Sequence, residues 1–287
     1  MRMRSECVPC LLRRTIYESL LVNERFAERA VQEALKILAQ EYSNRANSVK
    51  VATKIHREVY QILGSEDPYK ELKERSNRVA SKLVGKALDK IKNSNDKFES
   101  AALCSVIGNV LDFGIAQDYV APEKLFDEFD FFWNSGFGIN DIAKAKKYLQ
   151  NGNEIVFLPD NCGEIIFDKL LCEQLKKFGI HLTIIVKEKP MLTDATIKEI
   201  EELKFDDVVD DVLLSTNAVG IDFNEISGEV KKRIKESDLI ICKGMGLYEA
   251  FCETNYKPIL YLLRTKCAPV AEDMGVSKGI NVAKLYE

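Results

Sequence analysis

Glu154-Ile-Val-Phe-Leu-Pro-Asp-Asn-Cys-Gly-Glu164 is the stretch that decides the fold. Ile155, Val156, Phe157 and Leu158 form an apolar run without alternation, as expected of a parallel strand covered on both faces. Pro159 has no N–H for a ladder and ends it. Asp160 and Asn161 are then left at the carboxyl end of the strand, and after Gly163 an amphipathic pattern from Glu164 to Phe178 predicts a helix. In open α/β sheets the crevice beyond the carboxyl ends of the strands is where ligands bind. The same Asp and Asn could equally serve as turn residues that cap the following helix.

Working outward, three more apolar runs share this character: Leu182 to Val186, Leu239 to Cys242 and Ile259 to Leu263, with Val212 to Leu214 a candidate fifth. Helical patterns separate most of them, which argues for a largely parallel sheet with right-handed crossovers. The polar residues after these runs converge in such a sheet. They are Asp160-Asn161, then Thr193-Asp194-Ala-Thr196 beyond Pro190, Ser215-Thr216-Asn217, Lys243-Gly-Met-Gly246 and Arg264-Thr-Lys266. Asp194 could also cap a helix over Ala195 to Leu203.

Upstream, the period changes. From Cys10 to about Ile91 the stripes are helical, for example Phe26, Ala30, Ala34 and Leu38, or Val51, Ile55 and Val59. Asn93-Ser-Asn-Asp96 reads as a boundary, giving an all-helical domain over 1–95 and an α/β domain over 96–287. Phe98 to Ile107 is uniformly apolar, a helix suited to plug into the second domain. If it continues, Asn109 and Asp112 share one face. The formal net charge of −4, from 41 basic and 45 acidic residues well mixed, offers no field for nucleic acid or an anionic membrane. No segment approaches the roughly 18 to 20 apolar residues of a membrane span, and the first residues lack the apolar core of a signal peptide. A cytoplasmic protein with eight reduced cysteines is expected.

Asp160, Asn161 and Asp194 offer hard oxygen atoms that suit Mg²⁺, Mn²⁺ or a similar ion, and Lys243, Arg264 and Lys266 face them. An acidic metal cluster opposite cations fits phosphoryl chemistry. The two histidines, His56 and His181, are read as structural, so a histidine-rich zinc site is not expected. Lys243-Gly-Met-Gly246 lacks the third glycine of a dinucleotide fingerprint, because Glu249 stands there. Cys7-Val-Pro-Cys10 could hold a metal, cycle as a dithiol or be idle.

Taken together, Cys7-x-x-Cys10, Gly108-Asn109-x-x-Asp112-Phe113, Asp160-Asn161-Cys-Gly-Glu164, Asp194-Ala-Thr196, Lys243-Gly-Met-Gly246 with Tyr248-Glu249, and Arg264-Thr-Lys-Cys267 resemble the damage-control phosphatase family, also called acidic-residue methyltransferase-like. The cysteine pair resembles its microbial subgroup. The resemblance spans nearly the whole chain. It implies a Rossmann-like three-layer α/β/α domain behind a helical domain, and a metal-dependent phosphatase acting on small phosphorylated metabolites. It also implies one divalent ion (Mg, Mn, Co or Ni) held by Asp160, Asn161 and Asp194, with Lys243 binding phosphate. Asn109, Asp112, Glu164, Gly244, Arg264 and Lys266 would contact substrate. Leu247 and Thr193 depart from the family pattern, which has Asn at both places. Partners would be a small phosphorylated metabolite and, at most, further copies of the chain. The alternatives are S-adenosylmethionine-dependent methyl transfer to protein carboxylates, and non-catalytic metabolite binding.

Overall fold

The structure is a computed structural model that describes residues 1–109 and 123–287. In chain order it runs α1 (Cys7–Val22), α2 (Ala27–Glu41), α3 (Ser48–Leu63), α4 (Lys70–Lys92), α5 (Lys97–Gly108), α6 (Lys124–Ser135), β1 (Ile139–Asn140) and α7 (Ile142–Asn151). There follow β2 (Glu154–Leu158), α8 (Glu164–Lys176), β3 (His181–Lys187), α9 (Ile197–Glu202), β4 (Asp211–Ser215), α10 (Gly228–Glu236) and β5 (Leu239–Lys243). The chain ends with α11 (Gly244–Phe251), β6 (Ile259–Arg264), α12 (Ala268–Met274) and β7 (Asn281–Tyr286).

The strand order is β1-β7-β6-β5-β2-β3-β4, and only the β6–β7 pair is antiparallel. All five expected strands are present. β1 and β7 were not anticipated, since β1 has two residues and β7 carries Lys284 and no continuous apolar run. Successive residues of the central strands feed opposite faces. Ile155, Phe157, Ile184, Ile241 and Leu262 pack with α4, α5 and α8, whereas Val156, Leu158, Ile185, Ile240 and Leu263 pack with α10, α11 and α12. The domain is therefore the three-layer α/β arrangement expected.

From β2 the chain proceeds to β3 and β4 on one side, then crosses back to β5 and β6 on the other. The reversal lies between β2 and β5, and their register, Leu158 opposite Cys242, brings residues 160 and 244 together just past the strand ends.

The apolar cores divide differently from the expected boundary at 95/96. Helices α1 to α3 enclose their own cluster around Leu11, Ala34, Ile55 and Val59. The α4 residues Val79, Ala80, Leu83 and Ala87 instead join the cluster beneath the sheet, with α5. α5 does enter the α/β core. Its last residue, Gly108, lies so close to α8 that a Cβ there would stand 2.9 Å from the Glu164 Cα and 2.8 Å from the Phe167 ring. Three residues of α3 fasten the helical unit to the sheet's loops. Thr53 Oγ1 accepts the Val219 N–H at 2.9 Å, Tyr60 Oη accepts the Leu192 N–H at 3.0 Å, and Arg57 binds Asn217 and Glu225. Among the described residues no helix is long and apolar enough to cross a membrane.

Candidate functional site

Asp160, Asn161 and Asp194 meet at the mouth of the crevice. The segment after β2 lies antiparallel to the one before α9. The Cys162 N–H donates to the Thr193 carbonyl and the Ala195 N–H to the Asp160 carbonyl, both at 2.8 Å. Neither α8 nor α9 takes its N-cap from these three residues. Gly163, at φ +80°, is the N-cap of α8, and its N–H donates to Asn77 Oδ1 at 2.6 Å. Thr196 is the N-cap of α9, where its N–H donates to Glu199 Oε2 at 2.8 Å. The helix-cap alternative for Asp160, Asn161 and Asp194 is thereby removed. Leu192, two residues before Asp194, sits at φ +51°, a conformation that bulky residues rarely adopt outside functional loops.

A buried polar relay fixes Asp160. Asn109 Nδ2 donates to Asp160 Oδ2 at 3.0 Å and to Glu164 Oε2 at 2.7 Å, and Asn161 Nδ2 donates to Asp160 Oδ2 at 2.7 Å. Glu164 in turn takes the Lys243 ammonium, which also lies 3.0 Å from Asp168 Oδ1 and 3.3 Å from the Ser105 carbonyl. Asp168 accepts from Ser105 Oγ at 2.6 Å. Burial pushes the Asp168 carboxyl up to about 7, with Lys243 opposing the rise. Desolvation works against the Lys243 charge, but Asp168 and Glu164 carry its pKa above the usual lysine value. Lys243 is therefore not placed as the phosphate binder expected of it. Its side chain is fully buried and its donors are directed to Glu164, Asp168 and Ser105.

Asp194 has its own buried cation. Lys187, at the end of β3, stands 3.5 Å from Asp194 Oδ2 and donates to the Ala218 carbonyl at 2.6 Å and to the Gly220 carbonyl. Burial lifts Asp194 to about 6 and pulls Lys187 down. The sequence reading missed Lys187, although a lysine directly after Leu182 to Val186 occupies the same kind of position as Lys243. Thr193 Oγ1 donates to Asn161 Oδ1 at 2.5 Å, so the departure from Asn at this position keeps a hydrogen bond to the amide. Leu247, the other departure, is buried in the apolar layer around α11.

Gly244 packs directly against Asp160. It sits at φ +71°, and a Cβ there would stand 1.8 Å from Asp160 Oδ2. Only glycine fits this backbone conformation at this approach.

Asp160, Asn161, Asp194, Asn109 and Lys266 line one cavity of about 560 Å³. Its opposite wall is the helical unit, with Cys7, Cys10, Arg13 and Arg14 of α1 and His56 of α3. The cysteines of the pair are free thiols, and Cys267, from the loop after β6, lines the same cavity. Arg264 turns away. Its guanidinium donates to Asn281 Oδ1 at 2.9 Å and stacks 4.6 Å from the centre of the Phe132 ring, on the face of β6 that Leu262, two residues earlier, also occupies. Asp112 lies outside the described residues. His181 pairs with Asp211 at 2.8 Å, the structural role expected of it.

The donor set suits a hard cation. Among the described residues no group of three His, Cys, Asp or Glu side chains is placed to hold a metal. An ion here would rest on two carboxylates and the amide oxygen of Asn161, and the Asn109 Oδ1 in the same wall is buried without a partner.

Known proteins resemble the chain along nearly its whole length. The profile of the damage-control phosphatase ARMT1-like domain matches residues 3–282. The chain is 40% identical over its full length, and that of the relative, to a protein named damage-control phosphatase from Archaeoglobus fulgidus. It is 30% identical to damage-control phosphatase PH1575 from Pyrococcus horikoshii, covering 97% of this chain and 96% of the relative. The crystal structure of a DUF89 family protein (ph1575) from Pyrococcus horikoshii superposes with a TM-score of 0.89 at 28% identity, with both chains fully covered.

Proposed function

Since the chain belongs to the damage-control phosphatase ARMT1-like family, we propose that its cavity hydrolyses the phosphate monoester of a small phosphorylated metabolite, as a phosphatase of metabolite repair. The observation that carries this reading is the meeting of Asp160, Asn161 and Asp194 in one cavity at the sheet's switch point, with none of the three serving as the N-cap of the helix that follows it.

Asp160, Asn161 and Asp194 would hold one divalent ion (Mg, Mn, Co or Ni), which when bound would offset charge on the phosphoryl oxygens. The chain's own groups do the rest. Lys266, Arg13 and Arg14 line the cavity and supply cationic donors to the phosphate and to other anionic parts of the substrate. Thr193 and Asn109 hold the Asn161 and Asp160 side chains in place. Lys243 acts at one remove: by neutralising Glu164 and Asp168 it keeps Asn109 directed at Asp160. Preorganised polar groups of this kind lower a barrier because they need no reorientation during reaction. The enzyme would work in the cytoplasm, with neither nucleic acid nor membrane as partner.

Purified protein with added Mg²⁺ or Mn²⁺ is expected to release inorganic phosphate from members of a sugar-phosphate panel, to lose this activity on chelation, and to lose it in Asp160→Ala. Full activity in Asp160→Ala would overturn the assignment.

A further inference from the structure

Lys187 is a buried cation beside the reaction centre with no part in the proposed hydrolysis. On β3 it lies on the same face as Ile185, and it extends past the strand end to the segment that follows β4. Among the described residues its ammonium has three partners: Oδ2 of Asp194 at 3.5 Å, the Ala218 carbonyl at 2.6 Å and the Gly220 carbonyl. The two carbonyls belong to a segment that has no room to shift towards α11. Gly220 sits at φ +59°, and a Cβ there would stand 2.3 Å from the Gly246 carbonyl oxygen. A neutral donor would satisfy two carbonyls, so the charge is matched to Asp194, the one charged partner of the three. One oxygen of the Asp194 carboxylate is therefore taken before any ion arrives, and Oδ1 is the oxygen left to the cavity that Asp194 lines. Asp160 is held in a similar manner. Its Oδ2 accepts the amide N–H groups of Asn109 and Asn161 and lies against Gly244. Asn161 has only its amide oxygen to offer.

We propose that Lys187 determines which ion the site accepts: by holding Oδ2 it restricts Asp194 to a contact through one oxygen, which favours Mg²⁺ over Ca²⁺. This rests on the reading of Asp160, Asn161 and Asp194 as ligands of a divalent ion. Ca²⁺ gathers about six to eight oxygens and often takes both from one carboxylate, whereas the smaller Mg²⁺ binds through few carboxylates and completes its shell with water and phosphate oxygens. Residues that give one oxygen each leave Ca²⁺ short of ligands and suit Mg²⁺. The lysine charge weakens the attraction of Asp194 for either ion alike. Its occupation of Oδ2 penalises only the ion that would use both oxygens, so the ratio of the two affinities carries the signature of Lys187.

Isothermal titration of the full chain with Mg²⁺ and with Ca²⁺ tests this without turnover. The unsubstituted protein should bind Mg²⁺ more tightly than Ca²⁺. In Lys187→Met the Ca²⁺ affinity should gain on that of Mg²⁺ by about 10-fold or more, whereas Lys187→Arg, which keeps the charge and the donors, should hold the original ratio. A lysine with a merely structural role would move both affinities together. Infrared difference spectra give a second measurement, because a carboxylate bound through both oxygens brings its two stretching bands closer together. With Ca²⁺, that narrowing should appear in Lys187→Met and not in the unsubstituted protein. An unchanged affinity ratio in folded Lys187→Met overturns the proposal. Should that variant fail to fold, the unsubstituted protein still decides: Ca²⁺ bound as tightly as Mg²⁺, or bound with the narrowed bands, overturns it. Phosphate release separates this inference from the phosphatase reading. A protein that selects Mg²⁺ but hydrolyses no ester sinks the phosphatase reading alone, and one that releases phosphate while binding both ions equally sinks selection by Lys187 alone.

Discussion

Replacing Gly244 by alanine separates backbone strain from damage to the reaction centre. Two costs arise. The first is conformational: φ is +71°, and a non-glycine residue in the left-handed region costs about 1–2 kcal/mol. The second is local, because the new Cβ would stand 1.8 Å from Asp160 Oδ2, whereas real Cβ contacts essentially never fall below 3.0 Å. The carboxylate must therefore retreat by about 1.2 Å, several times the roughly 0.2 Å tolerance of a metal–ligand distance. A misplacement of about 1 Å in a reacting group costs on the order of 10²-fold in rate. Gly64→Ala is the matched control, at φ +62° in the C-terminal turn of α3 with nothing within 4 Å of its Cβ. Gly64→Ala should lose about 1–2 kcal/mol and Gly244→Ala at least as much, at about 2–4 °C in melting temperature per kcal/mol for a chain of this size. Only Gly244→Ala should lose phosphate release, by about 10²-fold or more. Thermal denaturation and a phosphate-release assay read the two effects. A Gly244→Ala protein with unsubstituted kcat/KM would refute the reasoning, and so would equal losses of activity in the two variants.

Lys243→Met should destabilise by about 3–5 kcal/mol in urea unfolding, because it leaves the Glu164 and Asp168 carboxyls buried without their cation. The pH dependence follows from Asp168, whose folded pKa of about 7 lies above its unfolded value near 3.9. Between these values the folded chain holds a proton that the unfolded chain has lost. Its contribution to stability therefore falls as pH rises from about 4 to 7, by a few kcal/mol at most, and urea midpoints should show a shallower decline over this range in Asp168→Asn. Thr193→Val removes the hydroxyl that donates to Asn161 Oδ1, and isothermal titration should show Mg²⁺ or Mn²⁺ affinity weakened about 10- to 100-fold with melting temperature little changed.

The strand ends were legible in the sequence because a strand buried on both faces leaves a continuous apolar run, and the polar residue after it must lie at the crevice. Asp160, Asn161 and Asp194 follow from this directly. What could not be read was the direction of side chains. Lys243 follows its strand just as Asp160 follows β2, yet its ammonium runs back into α5 and α8, where Glu164 and Asp168 lie four apart on a helix that reads as merely amphipathic. Arg264 and Lys266 differ in the same way: both sit near the end of β6, but only Lys266 lines the cavity. His56 was read as structural, and it is buried against Glu18, a carboxylate at core spacing with Leu11 and Thr15 on α1; a buried acid on one helix calls for a partner on another.

The cavity draws its reactive floor from the loops of the sheet and its opposite wall from α1 and α3, which belong to a separate apolar core. Substitutions in that second core, or on the surface it presents, can reshape the wall without disturbing Asp160, Asn161 or Asp194. A lineage of such proteins can therefore diverge in the molecules it accepts while its chemistry stays fixed, with selection acting on the two halves at different rates.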